Sequence, residues 1–366
     1  MNIERGVCSA LFIYDIAQAI NLDEAERQIA ADTQRERLQR QRPAPRYFEY
    51  HPAPVRVTQT AEPLGIGNFS TRSTVNLVLF DFGAVLVIYS IPFTGSLDDL
   101  LALSEALYDN ALLLTDSRQR VGQLARVIQT ALTKSEISEL VEDYLIFHVE
   151  HLQPPCSPEE LCTSYGQEIA RILRAERQPL SAQETTDALS HRLSFGADDI
   201  VIVDWLAALL IDRQGEDVRS VLEFANVELL EMRYLDQRLD DALDRSYETL
   251  LRRLWGPVRV RRSYRRDLHY VARLQVDSAV LFEGVNNALK LLGDQYLARV
   301  YRAASQRFHL AEWDTSILRK LQTLEGIYEK MVDQAATRRM EVLEWIIIVL
   351  ITVSIVLPFL PGFPPH

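Results

Sequence analysis

Cysteine is scarce in this chain: Cys8, Cys156 and Cys162 are the three among 366 residues. An odd, widely spaced set makes no disulfide framework, so packing has to hold the fold, in a reducing compartment. Positive charge is also short. Lys and Arg number 39 against 51 Asp and Glu, a net charge of −12, and the pI is near 5.2. That balance argues against general nucleic-acid binding, which needs clustered cations against phosphate, and against specific DNA recognition, while leaving room for local basic patches. Glycine is sparse at 14 residues, and no phosphate loop of the P-loop kind is present. Nor is there a GxSxG elbow, an HExxH helix or a nucleophilic cysteine setting. The sequence therefore argues for no enzyme and no cofactor. The N-terminus, "MNIERGVCSALFIYDI", is broken by Glu4 and Asp15, so it is not a signal peptide, and it lacks the Arg and Ser of a transit peptide.

Long apolar runs are missing too, with one exception near the end. Trp345, Ile346, Ile347, Ile348, Val349, Leu350, Ile351, Val353, Ile355, Val356 and Leu357 form a stretch unbroken by charge. With Val342, Leu343 and the tail to Leu360 it reaches about 18 residues, roughly 27 Å as a helix, against a hydrocarbon core of ~30 Å. It is apolar on every side, unlike a striped packed helix. Trp345 stands at one boundary, Arg338 and Arg339 precede it, and no Lys or Arg follows. These features predict a C-terminal transmembrane anchor in a lipid bilayer. The large N-terminal part would be cytoplasmic and the protein single-pass in the inner membrane. The competing reading is a buried helix.

The remainder predicts an α+β fold with long antiparallel helices after it. "SALFIYDI" reads as a strand, and Leu22 to about Gln41 as a helix capped by Asn21. "NLVLFDFGAVLVIYSIP" gives the strongest strand signal, two β-branched runs hinged at Asp81, Phe82 and Gly83. The same triplet resembles a kinase metal-binding motif, but the phosphate loop, strand lysine and catalytic loop are absent, so Gly83 is read as a bend. "GIGNFS" is a lone loop motif. "VEDYLIFHVEHL" is a strand or amphipathic segment. Its His148 and His151, near Cys156 and Cys162, are weak candidates for a metal and are read as ordinary histidines. Asp199 to Asp212 is one buried apolar run.

From Val218 onward the pattern turns helical. One apolar stripe runs from Val218 to Leu254, a second from Val271 to Val300, and a third from Ile317 to Val342. The third follows coiled-coil spacing, with Asp314 as its expected cap. The domain reading is 1–214 for the α+β domain, 215–341 for the helical hairpin, 342–360 for the anchor and 361–366 for a short tail. Arg259, Arg261, Arg262, Arg265 and Arg266 around Tyr264 make the one clear basic cluster, able to meet phosphate of lipid or RNA or to pair with nearby acids.

Three segments in this order resemble a known family. "LVLFDFGAVLVIYS" is similar to its strand motif, "VLEFANVELLEMRYLDQRLD" to its helical signature, and "WDTSILRKLQTLEGIYEKM" with the apolar segment to its C-terminal end. The family is that of proteins named for "required for meiotic nuclear division". The resemblance covers roughly Asn76 to Leu357 and implies a non-enzymatic membrane protein that self-associates and supports translation by tethering ribosomes or another cytoplasmic complex. With no transit peptide at the N-terminus, the expectation is a bacterial inner-membrane member rather than a mitochondrial one. Ser354 stands where many members of that family carry an acid. The expected function is a membrane-anchored, self-associating scaffold; the alternative is a homo-oligomeric channel of CorA-like architecture.

Overall fold

The computed structural model describes residues 1–33, 38–40, 52–255, 276 and 295–356. Its first strand, β1 (Asn2–Asp15), becomes the middle of a sheet. It pairs antiparallel with β8 (Ala84–Ser96) on one side and with β10 (Val141–Gln153) on the other. Beyond β8 come β7 (Thr74–Leu79), β4 (Val55–Thr60) and β3 (Leu38–Arg40). Beyond β10 come β13 (Ala207–Ile211), β12 (Ile200–Val203) and β11 (Arg192–Leu193). The β10–β13 pair is parallel and the other pairs are antiparallel, so the nine-stranded sheet is mixed. Two small ribbons flank it, β2 (Ala17–Ile20) with β9 (Leu132–Ser135), and β5 (Gly65–Ile66) with β6 (Phe69–Ser70).

Strand periodicity assigns the two faces. Cys8, Ala10, Phe12 and Tyr14 of β1, with Val85, Val87, Tyr89 and Ile91 of β8, enter one core cluster with the helices that follow. Those helices are α1 (Leu22–Thr33), α2 (Leu97–Leu107), α3 (Ala111–Val127), α4 (Pro158–Ser164), α5 (Gly166–Leu173) and α6 (Ala182–Ala188). Tyr14 meets Ser117 at 2.6 Å, and Tyr89 donates to Asp116 at 2.5 Å, tying this face to α3. The opposite face presents Leu11, Ile13, Leu86, Ile88, Tyr144, Ile146 and Leu210, all buried. It is covered by α7 (Glu216–Trp255) and α8 (Gln295–Arg307). Arg56 of β4 meets Glu223 of α7 at 2.9 Å, Arg233 of α7 pairs with Glu142 of β10, and Tyr144 packs edge-on against Phe308 just past α8. The result is a three-layer α/β/α arrangement.

Local signals explain most element ends. Asn21 caps α1 and Ser157 caps α4, each accepting from the backbone N–H three residues on. Ser96 and Asp99 form a capping box at α2. Asp81, Phe82 and Gly83 form the turn from β7 to β8, closed by Phe80 N–H to Ala84 O at 3.0 Å. Gly83 has φ +111°, and a Cβ there would sit 1.8 Å from the Ala17 carbonyl oxygen, so a side chain is excluded. Asp314 is not a cap: the last helix, α9 (Leu310–Val356), starts four residues earlier, after the left-handed His309.

The chain divides into two compact units, Met1–Asp236 with Asp277–Thr315, and Gln237–Val276 with Ser316–His366. In the second, the later part of α7 packs on α9. Lys320 pairs with Asp240 at 2.6 Å and Ser246 donates to Tyr328 at 3.2 Å, both contacts advancing along both helices, so the two run parallel.

The anchor expectation is overturned. Among the described residues, no helix is long and apolar enough to cross a membrane. The uncharged part of α9 from Trp345 to Val356 is about 12 residues, or roughly 18 Å, well short of a ~30 Å core, and Glu344 stands directly before it. The α+β class ending in a transmembrane helix, the tail anchor and the single-pass inner-membrane location are therefore corrected to an α/β fold whose last helix ends in an apolar tip. Leu357 lies outside the described residues.

Candidate interaction surfaces

The sequence reads Asp199–Asp212 as one run, and the structure folds it into the β12–β13 hairpin. Asp204 N–H donates to Ala207 O at 2.9 Å, closing a turn of Asp204, Trp205 and Leu206. Asp204 is fully buried at 0% exposure. A charge so placed has to be paired. Its Oδ2 accepts from Arg174 Nε at 3.0 Å and its Oδ1 from Arg307 Nε at 2.7 Å. Both guanidinium groups also reach Asp187, Arg174 at 2.6 Å and Arg307 at 2.8 Å, and Arg174 pairs with Glu184. Tyr144 donates to the Asp204 carbonyl at 2.9 Å. Two cations and three carboxylates thus weld α5, α6, the β12–β13 turn and α8. The hydrogen bond from Arg307 holds the Asp187 carboxyl below the usual range, while burial and then Arg307 hold His191 below its usual value.

The ion cluster carries aromatic rings outward. Trp205, 44% exposed, stacks on His309 with centroids 5.3 Å apart, and Arg307 lies 5.8 Å from the indole centroid. At the other end of β12, Phe195 is 73% exposed. Its loop is held by Asp199, whose carboxylate accepts from the N–H of Phe195 at 2.7 Å and of Gly196 at 2.6 Å. Phe195 meets Tyr296 at 5.2 Å, and Arg299 lies 5.7 Å from the Tyr296 ring. Between these pairs runs α8. Leu297, Val300, Tyr301 and Ala304 face inward, while Arg299, Arg302 and Gln306 are exposed on its outer side.

Helix α7 is buried all round from Val221 to Met232, and this stretch includes Glu223, Asn226, Glu228 and Glu231. Glu223 is answered by Arg56 and by Arg219 at 3.2 Å. Glu228 accepts from Tyr301 Oη at 2.6 Å, and burial pushes its pKa up to about 8. Burial likewise lifts Glu142 to about 7 against the pull of Arg233.

A second surface is the tip of α9. Leu343, Trp345 and the residues from Ile346 to Ile351, with Val353, are each about half exposed or more, Trp345 reaching 67%. Arg338 and Arg339 belong to the same helix. Arg259, Arg261, Arg262, Arg265 and Arg266 lie outside the described residues. His148 is buried and bonds the Asp212 carbonyl at 2.8 Å, whereas His151 is exposed, and among the described residues no group of three potential metal ligands converges. The sequence reasoning missed Asp204, Arg307, Trp205, Phe195 and Arg302. The one local signal was a charged Asp204 inside an apolar run.

The family model described as "Uncharacterized protein MJ0711, N-terminal domain" matches residues 5–217. Uncharacterized protein MJ0711 of Methanocaldococcus jannaschii is 22% identical over 264 residues, covering 71% of this chain and 73% of that protein. No solved structure matches. These findings support an uncharacterised family and do not carry the meiotic-nuclear-division name.

Proposed function

We propose, for a chain that belongs to the family of the MJ0711 N-terminal domain, the role of a non-enzymatic, self-associating scaffold that holds a partner complex. The observation that carries this is the apolar tip of α9, whose side chains from Leu343 to Val353 are largely open to solvent. Contiguous exposed apolar surface on this scale marks a protein-binding site. A helix apolar on all sides gains most when several copies enclose it, which favours a homo-oligomer over a single lateral contact. The resemblance of three segments to the meiotic-nuclear-division family makes the ribosome the first partner to test, in support of translation. The channel alternative requires a spanning helix, and the described residues contain none.

The test is light scattering and sedimentation of the full chain and of a chain ending at Arg339, with a ribosome-pelleting assay. The proposal expects the full chain to be oligomeric and the shortened one to lose most of that mass. It expects ribosomes to pellet the full chain. If both chains are monomers the scaffold reading fails, and if only the pelleting fails the ribosome is the wrong partner.

A further inference from the structure

The outer side of α8 is an unusual surface for so acidic a chain. Within a helix of 13 residues, about 20 Å long, it places an aromatic pair at each end and exposed cations between them. The Phe195–Tyr296 pair lies at one end and the Trp205–His309 stack at the other. Arg299 and Arg302 lie between, with Gln306, and Arg192 of neighbouring β11 is exposed as well. Of the nearby acids, Asp204 and Asp187 are taken up by Arg174 and Arg307 and Asp199 by backbone N–H groups, while Glu312 beside His309 and Asp198 on the Phe195 loop stay exposed.

We propose that this face binds single-stranded RNA, its bases stacking on the ring pairs and its backbone tracking Arg299 and Arg302. Planar rings exposed at both ends of a cationic strip fit a flexible strand with π-faces and one negative charge per residue. An acidic peptide would use the arginines but would have no need of Phe195 or of a stacked Trp205–His309 column. A duplex would demand a broader cationic surface than two or three arginines. The buried cluster explains the rigidity of the platform. Asp204 fixes Arg307, Arg307 lies against Trp205, and the turn cannot move without unpairing buried charge. Stacking rings held in advance lose little freedom on binding. The inference is independent of self-association, because every residue in it lies in the first compact unit and the apolar tip lies in the second.

The experiment is fluorescence anisotropy of a labelled 12-nucleotide oligouridylate with the full chain at 50 and 200 mM salt. Saturable binding that weakens with salt is expected. Phe195→Ala should weaken it roughly ten-fold, as base–aromatic contacts commonly do, and Trp205→Ala by a similar factor. The Arg299→Ala/Arg302→Ala double variant should flatten the salt dependence by about 1.4 in the log–log slope, each phosphate contact counting for roughly 0.7 on single strands. Arg126→Ala, on α3, should change nothing. Phe195 is mostly exposed, so its variant keeps the test valid should Trp205→Ala fail to fold. Absence of saturable binding overturns the proposal. So does binding that ignores the aromatic variants, or poly-glutamate that competes as well as the RNA, which would reveal an acidic-protein site instead.

Discussion

Glu228→Gln tests whether a helix can carry a proton into the interior. Glu228 is 3% exposed on α7 and hydrogen-bonded to Tyr301 at 2.6 Å. Burial is the dominant cause lifting it from 4.5 to about 8; the Tyr301 hydrogen bond pulls it down, and Asp314 pushes it up. The folded state therefore holds a proton that the unfolded chain releases above pH 4.5. The sign follows: the native state binds more protons, so the stabilising contribution is full below about 4.5 and is lost as pH rises through about 8. Between pH 5.5 and 9 those two values imply a loss of roughly 3 kcal/mol, at 1.36 kcal/mol per pKa unit. Glutamine keeps the shape and the acceptor for Tyr301 without a proton to lose. The assay is urea unfolding of both proteins across that range, followed by tryptophan fluorescence. The wild type should fall by about 3 kcal/mol relative to the variant, with unchanged m-values. Two curves that stay parallel from pH 5.5 to 9 would refute the reasoning, showing that Glu228 is ionised where it lies.

The other predictions concern the frame. Gly83→Ala should cost roughly 3–5 kcal/mol, from left-handed strain plus overlap with the Ala17 carbonyl; a Tm within two degrees of wild type would contradict it. Asp204→Ala leaves Arg307 buried without its main partner and should cost about 3–5 kcal/mol, read as a lower urea midpoint, with the Trp205 fluorescence shifting to the red. An unchanged midpoint would mean that solvent already serves Arg307.

How much of this was legible depends on the range of each interaction. The β7–β8 hairpin could be read because its cause is local: two β-branched runs and a glycine that cannot be replaced at φ +111°. The caps at Asn21 and the strand from Ser9 were visible for the same reason. The Asp204 turn was not, since it holds no Gly, Pro or Asn, and the partners of Asp204 lie 30 and 103 residues away in sequence. The first half of α7 misled in another way. Its apolar stripe from Val218 was plain, yet nothing in that stripe marked Glu223, Asn226, Glu228 and Glu231, which are buried as well. The C-terminal segment misled by composition: its hydropathy resembles a lipid-facing span, but Glu344 shortens the uncharged stretch. The candidate platform was invisible because Phe195, Trp205, Arg299 and Arg302 meet only when α8 is laid along β12.

The central place of β1 has a bearing on how the molecule is made. The first strand of this sheet to be synthesised is one that needs partners on both edges, and those partners are β8, from Ala84, and β10, from Val141. At about 5–20 residues per second, β1 waits roughly 4–16 s for β8 to be complete and longer for β10. Throughout that wait it is an apolar strand with two open edges. An apolar strand with open edges is a site for wrong pairing, so β1 is exposed to that hazard until β8 and β10 arrive.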